Sequence, residues 1–233
     1  MNSMKNTKRR TLIFVALFSF LGLITLHIPV SHIVGSSQAF SVFDFFAPTT
    51  GLFLNSIPGA ISVFFVKFFD MIFVKKTVDI VSVVRLLPLP LAAYYFGSQS
   101  KYKSLIAFFC IVLFILHPVG KQAWVYSLYF VIPIIAAFFP KRLFLKSLGS
   151  TFTAHAVGSV IFLYTFQLTP AVWLGLIPIV FIERISFALG IYASYFLFNL
   201  SLYYLVKLSK RASITSLVNT HYLPSKKFFL QYS

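Results

Sequence analysis

Carboxylates are almost missing from this chain: Asp44, Asp70, Asp79 and Glu183 stand alone against 20 Lys and Arg in 233 residues. A single glutamate excludes the adjacent-glutamate arrangement of a membrane-embedded glutamic protease. Cysteine is represented only by Cys110, which excludes an intramolecular disulfide and a thiolate metal site; within AFFCIVLF it reads as core filling. No GxxxxGK[ST] occurs, so the chain has no P-loop for ATP hydrolysis, and neither HExxH nor GxSxG is present. No run alternates apolar and polar residues over about ten positions, which excludes the strands of a membrane β-barrel. No catalytic residue, metal ligand or cofactor site is assigned on these grounds.

What the chain has in excess is apolar surface. It is 59% hydrophobic and 10% charged, with 30 Phe and 12 Tyr and a mean hydropathy of +0.89; soluble domains hold about 45 to 50% apolar residues. This composition predicts an all-α integral membrane protein. The formal charge of +16 would suggest nucleic acid on a soluble domain. Here the cations fall between apolar runs, where they set topology and meet anionic lipid headgroups, so no nucleic-acid partner is expected.

Three regions are expected: a basic cytoplasmic N-terminus over 1–10, a helical membrane domain over 11–206 and a basic cytoplasmic tail over 207–233. Lys5, Lys8, Arg9 and Arg10 precede the first apolar run and hold the N-terminus in the cytoplasm. A cleaved signal peptide ending near Ser37-Gln38-Ala39 is the competing reading, which the length of the apolar run and the distance of the site disfavour. Apolar segments lie at about 11–30, 47–73, 79–97, 103–117, 122–139, 147–166 and 172–206. If all cross, more cations lie outside than inside, against the positive-inside bias. If 79–97, with Arg85, Pro88 and Pro90, is a re-entrant or interfacial helical segment packed within the bundle, nearly all cations lie inside and Lys121 outside. The expectation is therefore a six-transmembrane-helix bundle in the plasma membrane, multi-pass, with both termini cytoplasmic and Lys75 and Lys76 inside. A second six-span arrangement fuses 103–139 into one bent crossing. Lys67 and Asp70, three apart, read as a local ion pair near the cytoplasmic end.

The stretch Ser150 to Arg184 carries the least expected residues: His155, Glu183 and Arg184 interrupt two apolar helices joined by a turn at 167–170. At roughly 1.5 Å per residue both His155 and Glu183 lie on the order of 17 Å from the turn, near the middle of a core about 30 Å thick. Thr151, His155 and Ser159 recur every four residues and share a helix face. Glu183 and Arg184, adjacent on a helix, diverge, so Glu183 is expected to pair with His155. Such a cluster either pins helix packing or serves a ligand site, because ionisable groups in a bilayer cost about 2.5 to 3.5 kcal/mol or more. Asp44, Thr49, Thr50, Asn55, Gln122, Trp124, Tyr164, Gln167 and Trp173 fall at the outer ends of spans, the mixture of aromatic and hydrogen-bonding groups that a small-molecule pocket needs. For either tryptophan alone, an interfacial belt is an equally good reading.

The lead-in FDFFAPTTGLFLNSIPGAISVFF and the late hairpin SLGSTFTAHAVGSVIFLYTFQLTPAVWLGLIPIVFIERISFALG resemble the substrate-binding S components of energy-coupling factor (ECF) transporters. The resemblance spans most of residues 10–205 and rests on topology and small residues. It implies six helices, a vitamin-sized ligand near the outer face under the first loop, and partnership with a transmembrane coupling protein and two ATPases. From it follow Asp44, Thr49, Asn55, Trp124, Tyr164, Gln167 and Trp173 as ligand neighbours, with His155, Glu183 and Arg184 as a buried polar cluster beneath them. Members of that family often carry small residues four apart on the first helix; here Ala16 is followed by Phe20, and the weaker face Ala16, Ser19, Gly22 is the expected dock. Two further readings stay open: an intramembrane enzyme acting on a lipid-linked or peptide substrate through His155, Glu183 and Arg184, and a structural or assembly protein. A cavity under residues 35–46 separates the last from the first.

Overall fold

Proline and glycine cut the apolar runs into pieces, and in the computed structural model those pieces form helices of very unequal length. It describes the backbone of residues 2–32, 39–74, 80–209 and 220–222, and the side chains of most of them. In chain order the elements are α1 (Asn2–Leu26), β1 (Pro29–His32), β2 (Ala39–Ser41), α2 (Val42–Phe46), α3 (Thr50–Phe53), α4 (Ser56–Val74), α5 (Ile80–Val84), α6 (Pro88–Gly97), α7 (Ser104–Leu116), α8 (Pro118–Gln122), α9 (Val131–Ala136), α10 (Leu143–Thr165), α11 (Pro170–Gly175) and α12 (Ile177–Ser209). Short 3-10 turns at Ala47–Thr49, Lys101–Lys103, Trp124–Phe130 and Thr220–Tyr222 fill the gaps. The chain is predominantly helical, as its composition predicts. Among the described residues, the departure from all-α is a small antiparallel hairpin of β1 and β2, with Pro29 opposite Ser41 and His32 opposite Ala39.

Side-chain contacts fix the direction of each piece. The bundle end that carries the hairpin and the turn at 166–169 is called the rim here, and the opposite end the base. α1 climbs from base to rim. The segment 42–53, made of α2, a 3-10 turn and α3, then descends beside it, since Phe43 packs on Phe18 near the rim and Phe53 on Phe14 nearer the base. Asn55, at φ 74°, reverses the chain. α4 climbs again, parallel to α1: Val66 lies beside Gly22, and His27 Nε2 stands 3.2 Å from Asp70 Oδ1. α5 and α6 descend together, from Arg85 against Phe162 at the rim to Gly97 against Gly51 and Ser56 at the base. α7 climbs to His117, whose ring meets Tyr164. The 3-10 turn Trp124–Phe130 and α9 descend, α10 climbs, and α11 with α12 descends to Tyr195 against Phe53 and Phe96. Eight antiparallel legs result.

This layout corrects the expected six-helix arrangement in two places. The segment 47–73 is two legs, not one, because the Leu54-Asn55 turn and the pair Pro48 and Pro58 break it; α4 therefore ends at the rim. The segment 79–97 does pack within the bundle, between α4 and α10, with Leu89, Ala92, Ala93, Tyr95 and Phe96 buried. It does not dip and return, however, but runs the full distance from rim to base. Its prolines shape it: Pro88 and Pro90 sit in the first turn of α6, where no intrahelical N–H is lost. Lys75 and Lys76 lie outside the described residues, and the helix ends flanking them, Val74 and Ile80, belong to the rim. The 103–139 stretch is two legs, as in the preferred arrangement.

By length and composition, two helices among the described residues suffice to cross a membrane, Ser56–Phe73 and Ile177–Tyr204. The other helices among the described residues do not meet both criteria, although α10 is 23 residues long. The outer surface is apolar, unlike that of a soluble protein: Phe73 and Ile80 are each 80% exposed, joined by Phe20, Leu116, Phe138 and Ile182. The interior holds apolar side chains such as Phe43, Phe96, Phe114 and Phe130, and beside them Thr49, Thr50, Lys146, Ser147, Ser150, Thr153 and Asn199. Glycine permits the tightest crossing: a Cβ on Gly51 would strike the Ala93 carbonyl, and one on Gly97 the Gly51 carbonyl. Of the expected regions, the N-terminal ten residues, from Asn2, continue α1, and α12 ends at Ser209. Of the tail, residues 207–209 continue α12 and residues 220–222 are described, with Tyr222 packed edge-on against Tyr195 at the base.

Candidate functional site

The legs diverge below the hairpin and leave a cavity of about 290 Å³ in the rim half of the bundle. α10 contributes the wall that the four-residue spacing predicts: Thr151, His155, Gly158, Ser159 and Phe162 all line it. α12 contributes Val180, Glu183, Arg184 and Phe187; α4 and α5 contribute Lys67, Asp70 and Ser82, and the turn after α5 contributes Arg85; the hairpin and α2 roof it with Phe40, Ser41 and Asp44. Tyr126 and Trp173 close the remaining side.

The carboxylates are held by the protein itself. Asp44 Oδ2 accepts hydrogen bonds from the Ser41 backbone N–H and hydroxyl, both at 2.8 Å, which locks the hairpin onto α2. Glu183 Oε1 accepts from the Ser31 hydroxyl, and Glu183 Oε2 from Arg184 Nη2 at 2.8 Å. The adjacent pair therefore does meet, because both side chains are long enough to bend back across the helix surface. The expected Glu183–His155 pairing is not made. His155 instead sits among the rings of Tyr126, Tyr129, Phe130 and Phe152, with its Nε2 buried and without a protein partner. Arg184 is 3% exposed, its guanidinium 4.4 Å from the Phe40 ring and 4.6 Å from the Phe187 ring. Its Nε has no hydrogen-bond partner, and neither has Nε1 of Trp173, which is 2% exposed. A buried N–H left without an acceptor costs about 1 to 3 kcal/mol. Two such groups and the imidazole line one cavity.

Of the expected ligand neighbours, Asp44 and Trp173 line the cavity and the others do not. Thr49 is buried in the descending leg, where its hydroxyl donates to the Phe46 carbonyl at 2.6 Å. Asn55 forms the exposed turn at the base, far from the hairpin. Trp124 faces outward, 51% exposed, so the two tryptophans part company. Tyr164 lies at the rim surface with its hydroxyl donating to the Leu113 carbonyl at 2.9 Å, and Gln167 is exposed in the rim turn. The cluster His155, Glu183, Arg184 forms the cavity wall itself, where the sequence placed it beneath the pocket. On α1, Ala16 is exposed and Ser19 partly so. Gly22 is buried against Phe43 and Val66 and is spent on packing within the chain, which removes it from the expected docking face.

Sequence reasoning missed Arg85, Tyr126 and Phe40. Arg85 was legible as a charge in an apolar run, and its guanidinium lies 5.0 Å from the Phe162 ring. Tyr126 left no signal, since the 3-10 winding of 124–130 turns it inward and its neighbour Trp124 outward. Lys67 and Asp70 both line the cavity near the rim, and Asp70 Oδ1 stands 3.2 Å from His27 Nε2. No group of three or more His, Cys, Asp or Glu among the described residues is placed to hold a metal ion. Searches of protein-family models, curated proteins and solved structures found no match to this chain.

Proposed function

We propose that the chain is a polytopic membrane protein that captures a small, water-soluble molecule from the outer face, in the cavity roofed by the β1–β2 hairpin, for uptake. The observation that carries this reading is a polar cavity inside a bundle whose outer surface is apolar. A lipid environment explains the exposed Phe, Leu and Ile, and solute binding explains ionisable groups grouped around one void. In this reading the eight legs cross the bilayer, the short ones shielded by the long. The base is cytoplasmic: among the described residues it carries Lys101, Lys103, Lys141, Arg142 and Lys146, whereas the rim carries Arg85 and Lys121, in keeping with the positive-inside bias. Anionic headgroups of the inner leaflet meet the exposed Lys101, Lys141 and Arg142.

An importer of the energy-coupling factor type supplies the partner expectation: a transmembrane coupling protein and ATPases, with Ala16 and Ser19 on the exposed face of α1 as the contact. The eight-leg layout departs from the six helices of that resemblance, so solute capture is the firmer part of the proposal. Purification from host membranes in mild detergent, followed by mass spectrometry of the released small molecules and of co-purified subunits, tests both parts. A released solute that is lost from Trp173→Ala supports capture, and ATPase subunits in the same eluate support the importer class. A ligand-free preparation whose deletion leaves solute uptake unchanged overturns both.

A further inference from the structure

From the hydrogen-bond balance of the cavity, and resting on the capture reading above, we infer that its ligand is a small planar organic anion, a carboxylate or comparable oxyanion on an unsaturated ring. The acidic groups that line the cavity are already engaged: Asp44 by Ser41, Glu183 by Ser31 and Arg184, and Asp70 by its close contact with His27. Of the cavity-lining side-chain atoms that lack a hydrogen-bond partner, Arg184 Nε, Trp173 Nε1 and His155 Nε2 are nitrogen, and Asp70 Oδ1 stands 3.2 Å from His27 Nε2. Arg184 Nε and Trp173 Nε1 can only donate, and both side chains are nearly completely buried. A ligand that completes the site therefore brings acceptors. Glu183 engages Arg184 through Nη2 and leaves Nε without a partner. His155 Nε2 adds a third contact, to a ligand oxygen or a ligand proton.

The shape of the ligand follows from the walls. Phe40 and Phe187 flank the guanidinium, and Tyr126 and Trp173 meet edge to face with centroids 4.9 Å apart. Flat aromatic faces accept a flat ring. The void of about 290 Å³ lies at the small end of the roughly 300 to 1,000 Å³ range of ligand pockets, which limits the ligand to one or two rings.

The test uses benzoate, nicotinate and indole-3-acetate, each against its own primary amide, on the full chain in nanodiscs. Trp124→Phe leaves Trp173 as the single indole, and its emission and the melting temperature are both followed. At least one carboxylate is expected to bind saturably, with its amide about tenfold or more weaker. Arg184→Gln should abolish that preference and Arg184→Lys should keep part of it. Trp173→Phe, read by melting temperature alone, should weaken binding without unfolding the bundle. An amide that binds as well as its carboxylate overturns the anion assignment and leaves solute capture standing. So does a host-derived uncharged ligand found by mass spectrometry when no carboxylate binds. A chain that binds none of the probes and releases no host molecule loses both.

Discussion

Two buried polar residues with the same apparent oddity behave differently once their surroundings are known. Lys146 is fully buried near the base, its Nζ has no hydrogen-bond partner, and it does not line the cavity described above. Replacement by methionine keeps the aliphatic volume and removes an unpaired ammonium. Lys146→Met is therefore expected to raise stability by about 1 to 3 kcal/mol, measured as an increase in melting temperature in detergent. His155 also lacks a partner at Nε2 but faces the cavity among four aromatic rings. His155→Phe should leave melting unchanged or raised, while ligand retained through purification falls severalfold. If retention and melting both stay level, His155 is a packing residue. The sequence singled out His155 but not Lys146, and only the neighbours distinguish a ligand contact from a buried cation.

At the scale of elements, the descending leg 42–53 is held by close backbone approach. Gly51 lies so near Ala93 and Gly97 that α3 and α6 touch main chain to main chain. Gly51→Ala is expected to cost about 1 to 3 kcal/mol or to prevent folding, since the obstacle is backbone and cannot swing aside. Gly175→Ala, with nothing within 4 Å, is the matched control and should be neutral. Asn55 belongs to the same element boundary, and its left-handed backbone, not ligand chemistry, accounts for it. Asn55→Gly should preserve both melting and ligand binding, whereas Asn55→Val should lose roughly 1 to 2 kcal/mol. Loss of binding in Asn55→Gly with melting intact would return this residue to the site.

The whole molecule makes a topological prediction that separates eight crossings from six. Ile80, at the start of α5, shares the rim with Lys121, while Ser100 and Lys141 share the base; all four are exposed. In a Cys110→Ala background, an impermeant thiol reagent applied to intact cells should label Ile80→Cys and Lys121→Cys, and should label Ser100→Cys and Lys141→Cys only after permeabilisation. Protection of Ile80→Cys together with labelling of Lys121→Cys would restore the six-crossing arrangement, in which 79–97 enters from the cytoplasm.

Much of this chain is legible one residue at a time. Composition alone determines a helical protein with an apolar exterior, and the spacing of Thr151, His155 and Ser159 determines which face of α10 meets the cavity. Punctuation by Pro48, Asn55, Pro58, Pro88 and Pro90 marks where helices must break. What the sequence leaves open is how the broken pieces run, because a leg shielded by its neighbours has no need of a full apolar span of about 20 residues. Only the tertiary structure turns 47–73 into two legs, brings Asp70 to His27, faces Trp173 inward and Trp124 outward, and closes Arg184 onto Glu183. The Asp70–His27 approach and the inward turn of Trp173 depend on contacts between residues far apart in the chain, and hydrophobic periodicity carries no record of which partner a side chain will meet.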